Sequence, residues 1–283
     1  MAKELLGKPV TEKLNESIKR DIFALKLKRV TPTLAVIRVG EMPSDVSYEK
    51  SALKRCEELG VACKKIALKA LCTTDEVINV IKKVNADPDI HGCLLFRPLP
   101  GHLDVEKIQN ALDPAKDVDC MTDTSIGAVF TGKDVGFAPC TPRACMELLD
   151  YYDYDLKGKN VVVVGRSAVV GKPLAMLCLK QNATVTICHT KTVDMPEITK
   201  KADILIVAAG KAGLIDSRYV SKGQVVIDVG TNVDDNGKLR GDVDYDSVKN
   251  IVDAITPVPG GVGGITTSVL VKHVTEAAKA AKR

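Results

Sequence analysis

The stretch Val161-Val162-Val163-Val164-Gly165-Arg166-Ser167-Ala168-Val169-Val170-Gly171-Lys172-Pro173 decides the fold. Four consecutive valines read as a strand, one of the apolar runs of an α/β pattern. They run into a turn of small residues, and a helix is predicted from about 173 to 181. Small residues at a strand-to-helix turn let the backbone approach a pyrophosphate. The helix N-terminus adds N–H groups and the positive end of its dipole. The spacing departs from G-x-G-x-x-G, because Ser167 stands in the place of the second glycine and one extra residue precedes Gly171. Taken alone, a plain β-turn-α unit fits the stretch as well as a phosphate cradle does.

Outward from this stretch, apolar runs alternate with amphipathic ones. Towards the C-terminus strands are predicted at 184–188, 203–207 and 225–229. The first half repeats the scheme: a strand at 33–39, then Gly40, a helix from about Ser44 to Leu59 stopped by Gly60, a helix from near Thr74, a strand at 92–96 and a rigid loop at 97–101. This is the signature of an α/β protein with parallel sheets. The domain boundary is expected near 140–150, after a turn at Pro139-Cys140-Thr141-Pro142. A final helix over about 266–281 is expected to return to the first domain, giving two crossings. The division that follows is residues 1–142 plus 266–283 as one domain and 143–265 as a Rossmann-like dinucleotide-binding domain.

Composition narrows the class. The 283 residues are 45% hydrophobic, 27% charged and only 4% aromatic, with no Trp, so the core is aliphatic in an ordinary globular chain. A net charge of +4 suits an anionic ligand but not a nucleic-acid tract. No signal peptide or apolar run of membrane-spanning length is visible. Nine cysteines without a C-x-x-C pair read as small buried hydrophobes in a reducing compartment, so a cytoplasmic protein is expected. The four histidines are scattered, and no metal site is expected.

Two features strengthen the dinucleotide reading. Ala208-Ala209-Gly210 and Gly230-Thr231 follow apolar strands, where ligand-facing loops of such sheets lie. After the strand at 184–188 come His189-Thr190-Lys191-Thr192, with no carboxylate to take the ribose hydroxyls. With Arg166, these residues favour a 2′-phosphate, hence NADP over NAD. His189 and Lys191 also read simply as exposed loop residues.

The ordered segments VGEMPSDVSY (39–48), HGCLLFRPLP (91–100), KDVD (116–119), PCTP (139–142), GRSAVVGKP (165–173), ATVTICHTKT (183–192), ADILIVAAG (202–210), VVIDVGTN (225–232), GDVDYD (241–246) and ITPVPGGVGG (255–264) span nearly the whole chain. Through them the chain resembles the methylenetetrahydrofolate dehydrogenase/cyclohydrolase family. The last segment has Gly264 where the family usually has Pro. The resemblance implies an N-terminal catalytic domain and a C-terminal dinucleotide domain with a folate cleft between them, and a homodimer. It implies that Tyr48 borders the folate pterin, that Asp119 hydrogen-bonds it, and that Pro257, Val258, Pro259, Gly260, Gly261 and Val262 form a wall of the cleft. It also implies dinucleotide contacts from Gly165, Arg166, Ser167, Thr190 and Thr231. Gly171, His189, Ala209, Gly210 and Gly230 complete the expected cofactor set.

Two positions break the pattern. The family's cyclohydrolase lysine, four residues after the tyrosine and on its helix face, is Ala52 here. At about 100° per residue, Lys50 and Lys54 point roughly 160° away from that direction. The glutamine expected beside that lysine is Phe96, followed by Arg97, which cannot lose its proton. Hydride transfer needs alignment more than an acid or base. Hydrolysis needs activated water and a protonated leaving nitrogen. The expectation is a 5,10-methylenetetrahydrofolate dehydrogenase with weak or absent cyclohydrolase activity. A bifunctional enzyme with a rearranged base such as Lys54, a different two-domain dehydrogenase, and a non-catalytic NADP-binding protein remain the alternatives.

Overall fold

The structure is a computed structural model that describes residues 1–234 and 236–281. A two-residue strand β1 (Lys3–Glu4) precedes the helix α1 (Gly7–Leu27). The strand β2 (Thr33–Val39) is buried at every residue. Its burial follows from its place: β3 (Ala62–Leu68) and β4 (Gly92–Leu95) pair with it in parallel on either side, in the order β3-β2-β4. The crossover helix α2 (Pro43–Leu59) ends where Gly60 turns left-handed at φ 86°, as the sequence leads one to expect. The next, α3 (Thr74–Ala86), starts with a reciprocal capping box between Thr73 and Glu76. Sequence patterning misses β3, because this edge strand is largely exposed and carries Lys64 and Lys65 in place of an apolar run.

Short helices α4 (Val105–Asn110) and α5 (Asp123–Thr131) lead to α6 (Cys140–Tyr151). The turn expected at 139–142 is instead the start of α6. Pro142 falls in its first turn, where a missing N–H costs no intrahelical bond.

The second sheet begins with β5 (Asn160–Val164), followed by α7 (Gly171–Lys180), β6 (Thr184–Cys188), α8 (Met195–Thr199), β7 (Ile204–Val207) and β8 (Val225–Asp228). A small hairpin of β9 (Asn232–Val233) and β10 (Leu239–Arg240), then α9 (Tyr245–Val248), β11 (Ala254–Ile255) and α10 (Gly263–Ala280) complete the chain. The six strands run parallel in the order β1-β11-β8-β7-β5-β6.

Two compact units result. One comprises Met1–Glu12 and Thr141–Thr266, the other Lys13–Cys140 and Thr267–Arg283. The first twelve residues belong with the second sheet because β1 pairs with β11, so the chain crosses between units three times, not twice. In each unit the strand order reverses beside a central strand: at β2 between β3 and β4, and at β5 between β6 and β7. Open parallel sheets place ligands at the carboxyl ends of strands at such points. No helix among the described residues is long and apolar enough to cross a membrane. Among the same residues, no group of His, Cys, Asp or Glu side chains is arranged to hold a metal ion.

Candidate functional site

In the unit built on β2, the carboxyl ends of β2 and β4 carry the candidate substrate residues. Phe96 extends the β4 pairing by one bond, its N–H donating to the Ile37 carbonyl at 3.1 Å. Its buried ring meets Tyr48 edge-on, with centroids 5.9 Å apart and planes at 81°. Tyr48 comes from α2, which is fixed over the sheet by a charged network. Glu49, buried beside Tyr48, pairs with Arg38 of β2 at 3.1 Å and Lys65 of β3 at 2.7 Å. Burial works against ionising Glu49, but hydrogen bonds from Lys65 and Arg38 outweigh it and hold the carboxyl below its usual range.

Ala52, one turn after Tyr48, is 1% exposed, while Lys50 and Lys54 face solvent. The helical geometry read from the sequence therefore holds, and neither lysine shares the Ala52 face.

Arg97 places Nη2 at 3.7 Å from Oδ2 of Asp119. The segment carrying Asp119 is tightly held. Asp117, fully buried, accepts from the N–H groups of Met121 and Thr122 at 2.9 Å each and from the Thr122 hydroxyl at 2.8 Å. Of the two aspartates in KDVD, Asp117 is thus the structural one. The Val118 carbonyl accepts from His273 Nδ1 at 2.9 Å and from the Cys140 thiol at 3.5 Å. The ring of His273 stacks on Phe137 at 4.9 Å.

The same surroundings shift the site's acids. Burial pushes the Asp119 carboxyl up, against the opposing pull of Arg97 and a hydrogen bond from Cys140. Burial, then the charges of Cys140 and Asp119, push the Tyr48 phenol well above its ordinary range. Tyr48 as a whole keeps 36% of its surface open. Sequence reasoning passed over Cys140 and His273 as supports of Asp119, because they come from α6 and α10 and no local pattern links them to it.

In the unit built on β5, Gly165 sits at the reversal point with φ 127°, and a Cβ there would lie 2.1 Å from the Ala208 carbonyl oxygen. Only glycine fits, and the backbone of the turn is left bare for a ligand. Gly171 opens α7. The sequence reading gave the start of this helix free N–H groups. Instead, the Ser167 hydroxyl accepts from Val170 at 3.1 Å and Gly171 at 3.4 Å, so Ser167 braces the turn. Arg166 and Thr190 are exposed at the ends of the neighbouring strands β5 and β6. His189 is half-buried, and its Nδ1 accepts from the Lys191 N–H at 3.1 Å. That bond forms a local turn and leaves the Lys191 ammonium exposed.

The loop after β7 holds the largest surprise. Asp242, fully buried, accepts from the N–H groups of Ala209 at 2.6 Å, Gly210 at 2.9 Å and Lys211 at 2.9 Å, and from the Asn232 side chain at 2.9 Å. The Ala209 and Gly210 amides are therefore spoken for, and these residues can meet a cofactor only through carbonyl and carbon atoms. Gly230 donates to Asp228, and Thr231 is exposed beside it. Neither Asp228 nor Asp242 was singled out from the sequence, although both lie in segments that carried the resemblance; the bare pattern GDVDYD gives no sign that its first aspartate turns inward. The loop from Pro257 to Val262 is anchored in the same unit, the Gly7 N–H donating to the Gly260 carbonyl at 2.8 Å.

The two-domain fold matches known proteins. Residues 5–119 match the tetrahydrofolate dehydrogenase/cyclohydrolase catalytic domain, and residues 139–282 match the NAD(P)-binding domain of the same family. The bifunctional protein FolD of Clostridium botulinum strain Langeland is 48% identical over 279 residues, 99% of each chain. The crystal structure of the bifunctional FolD enzyme from Campylobacter jejuni superposes with a TM-score of 0.96 at 40% identity, covering 99% of both chains. The Trypanosoma brucei dehydrogenase-cyclohydrolase, complexed with NADP cofactor and inhibitor, gives 0.91 at 31% identity, covering 99% of this chain and 98% of that one. With both domains matched in order and relatives close to half identical end to end, the chain belongs to the tetrahydrofolate dehydrogenase/cyclohydrolase family.

Proposed function

We propose that this member of the family is a 5,10-methylenetetrahydrofolate dehydrogenase that passes hydride to NADP and has weak or no cyclohydrolase activity. The observation that carries the second half is the buried Ala52 beside Tyr48, with Phe96 packed on the tyrosine ring. Ala52 and Phe96 carry no group that exchanges a proton, and Arg97 is a permanent cation. Hydrolysis of the methenyl product needs such a group, and alignment for hydride transfer does not.

In this reading Tyr48 and Asp119 contact the folate, with Pro257, Val258, Pro259, Gly260, Gly261 and Val262 as further substrate contacts. The dinucleotide fits the residues present: the bare Gly165 turn admits a pyrophosphate, and Arg166 with Lys191 suits a 2′-phosphate. Gly165, Arg166, Ser167, Gly171, His189, Thr190, Ala209, Gly210, Gly230 and Thr231 are its proposed contacts. When bound, the nicotinamide supplies the hydride acceptor. The Tyr48 phenol, whose burial keeps it protonated, offers a hydrogen-bond donor and not a charge. A reducing, cytoplasmic setting is proposed from nine cysteines that are all free in the structure, and a homodimer from the resemblance.

The relatives' names favour a second reading, a bifunctional enzyme. One assay separates the two: follow reduction of NADP and NAD with 5,10-methylenetetrahydrofolate, then decay of added 5,10-methenyltetrahydrofolate. Reduction with decay at the uncatalysed rate is expected. Fast decay would establish the bifunctional enzyme, and no reduction with either nucleotide would leave a binding protein.

A further inference from the structure

Arg97 pairs with Asp119 across 3.7 Å, while other groups hold the backbone of that loop. Asp117, Thr122, His273 and Cys140 already fix the backbone from 117 to 122. The Asp119 side chain itself is met by the thiol and the backbone N–H of Cys140 and, at 3.7 Å, by the Arg97 guanidinium. Both members of the pair are largely covered, with side-chain exposures of 23% and 30%, so their interaction is only partly screened by water. Phe96, immediately before Arg97, is locked against Tyr48 and the β2 backbone, which limits where the guanidinium can go.

We infer that Arg97 is a positioning residue for Asp119: the guanidinium holds the carboxylate in one orientation, and the neutral pair, not Asp119 alone, is the unit that binds the folate. This rests on the dehydrogenase reading that places Asp119 at the substrate. The chemistry gives the pair a further purpose. The reaction product carries a positive charge, and an unpaired arginine beside it would oppose its formation. Asp119 cancels that charge, while Arg97 keeps the carboxylate from competing for a proton. The groups facing Asp119 are Tyr48 from α2, Arg97 after β4, Asp117 and Cys120 on its own loop, and Cys140 from α6, with His273 of α10 behind the thiol. Among them Arg97 is the only fixed cation. A guanidinium in this place also reads as a grip on the substrate's glutamate carboxylates, and the test is designed to tell the two apart.

The test compares wild type with R97L, R97K, D119N and R97L/D119N, in full-length protein. The readouts are steady-state kinetics of nucleotide reduction from pH 5 to 9 and calorimetric titration with 5-formyltetrahydrofolate as monoglutamate and triglutamate. For R97L we expect KM for the methylene substrate to rise about tenfold with kcat within about threefold. The acid limb of kcat/KM should move to higher pH, and R97K should restore most of the loss. The double variant should be no worse than D119N, since coupled partners do not add. Additive losses, an unmoved acid limb, or a defect confined to the triglutamate would overturn the positioning role, the last in favour of a tail grip. If wild type binds 5-formyltetrahydrofolate without reducing nucleotide, the dehydrogenase reading fails, and the same five proteins still test the pair through binding. If it binds no folate, both fail.

Discussion

The backbone N–H of Asp242 donates to Oδ1 of Asp228 at 3.0 Å, joining two buried carboxylates fourteen residues apart. Asp228, the last residue of β8, also accepts from Gly230 and Val243 at 2.9 Å each. Asp242, so held, turns its own carboxylate onto the loop after β7. The pair carries structure outward from strand end to strand end: β8 fixes Asp228, Asp228 fixes Asp242, and Asp242 fixes residues 209–211. That loop stands beside Gly165, whose Cα faces the Ala208 carbonyl. The proposed cofactor loops therefore owe their shape to two acids that need never touch a ligand.

Replacing Asp242 by Ala should strip four hydrogen bonds from one buried anion and leave the Ala209, Gly210 and Lys211 amides without their acceptor. Hydrogen bonds to charged groups contribute about 1.5–3 kcal/mol each. A loss of at least about 3 kcal/mol is expected in urea unfolding, after relaxation and water entry. Asp242→Asn keeps one accepting oxygen and should fall between. In that milder variant KM for the nucleotide should rise more than KM for the folate. Equal changes in both would mean that the loop does not shape the nucleotide site.

Asp228 has a pH signature. Burial, only partly offset by bonds from Val243, Gly230 and Asp242, raises its carboxyl from the usual 3.8 to about 6. The folded state then keeps a proton that the unfolded state has lost between about pH 4 and 6. Stability from this group accordingly falls as pH rises across that window and is level above it, by roughly 3 kcal/mol in all. Acids held low, such as Glu49 through Lys65 and Arg38, act in the opposite sense as pH falls. Whole-protein melting will therefore mix the two, and the clean readout is the 13C shift of the Asp228 carboxyl. A midpoint near 6 is expected, and one at or below 4 would refute the assignment.

The legible parts of this molecule are those written in contiguous residues. The strand at 33–39, the Gly60 stop and the strands at 161–164 and 184–188 are apolar runs with punctuation, and they stand where the sequence puts them. β3 is invisible because an edge strand needs no apolar run. β1 is invisible because two residues carry no period at all, and with it went the assignment of the first twelve residues to their unit. The departures at Ala52 and Phe96 were readable only against the family pattern; the structure adds that both side chains are buried. The inward turn of Asp228 and Asp242, and the support of Asp119 by Cys140 and His273, join residues 14 to 155 positions apart. No local pattern encodes such pairs.

Nucleotide choice can be tested at Arg166. This side chain is exposed at the end of β5 beside Thr190 and Lys191 at the end of β6, and residues 189–193 include no carboxylate. A guanidinium that pairs a 2′-phosphate in two charge-assisted bonds has no equivalent partner on NAD. Arg166→Ser should raise KM for NADP about tenfold and leave KM for NAD within about twofold. A uniform loss with both nucleotides would place Arg166 on the pyrophosphate instead.

Restoring the missing lysine is the most direct test of the missing activity. Ala52 is buried, so Ala52→Lys alone introduces a long cation where a methyl group packs, and a destabilisation of about 2 kcal/mol is expected. Phe96→Gln opens room beside Tyr48 and supplies a side-chain carbonyl to accept from the new ammonium. The double variant should therefore recover part of that stability and hydrolyse 5,10-methenyltetrahydrofolate at least about a hundredfold faster than wild type, the low end of what a placed acid or base contributes. Arg97 stays, paired with Asp119, so the new lysine meets a neutral pair and its pKa is lowered by burial, which favours the neutral base that hydrolysis requires. A folded double variant with unchanged decay would show that two positions do not restore the activity. A wild type that already accelerates decay would show that its base lies elsewhere than the Ala52 face.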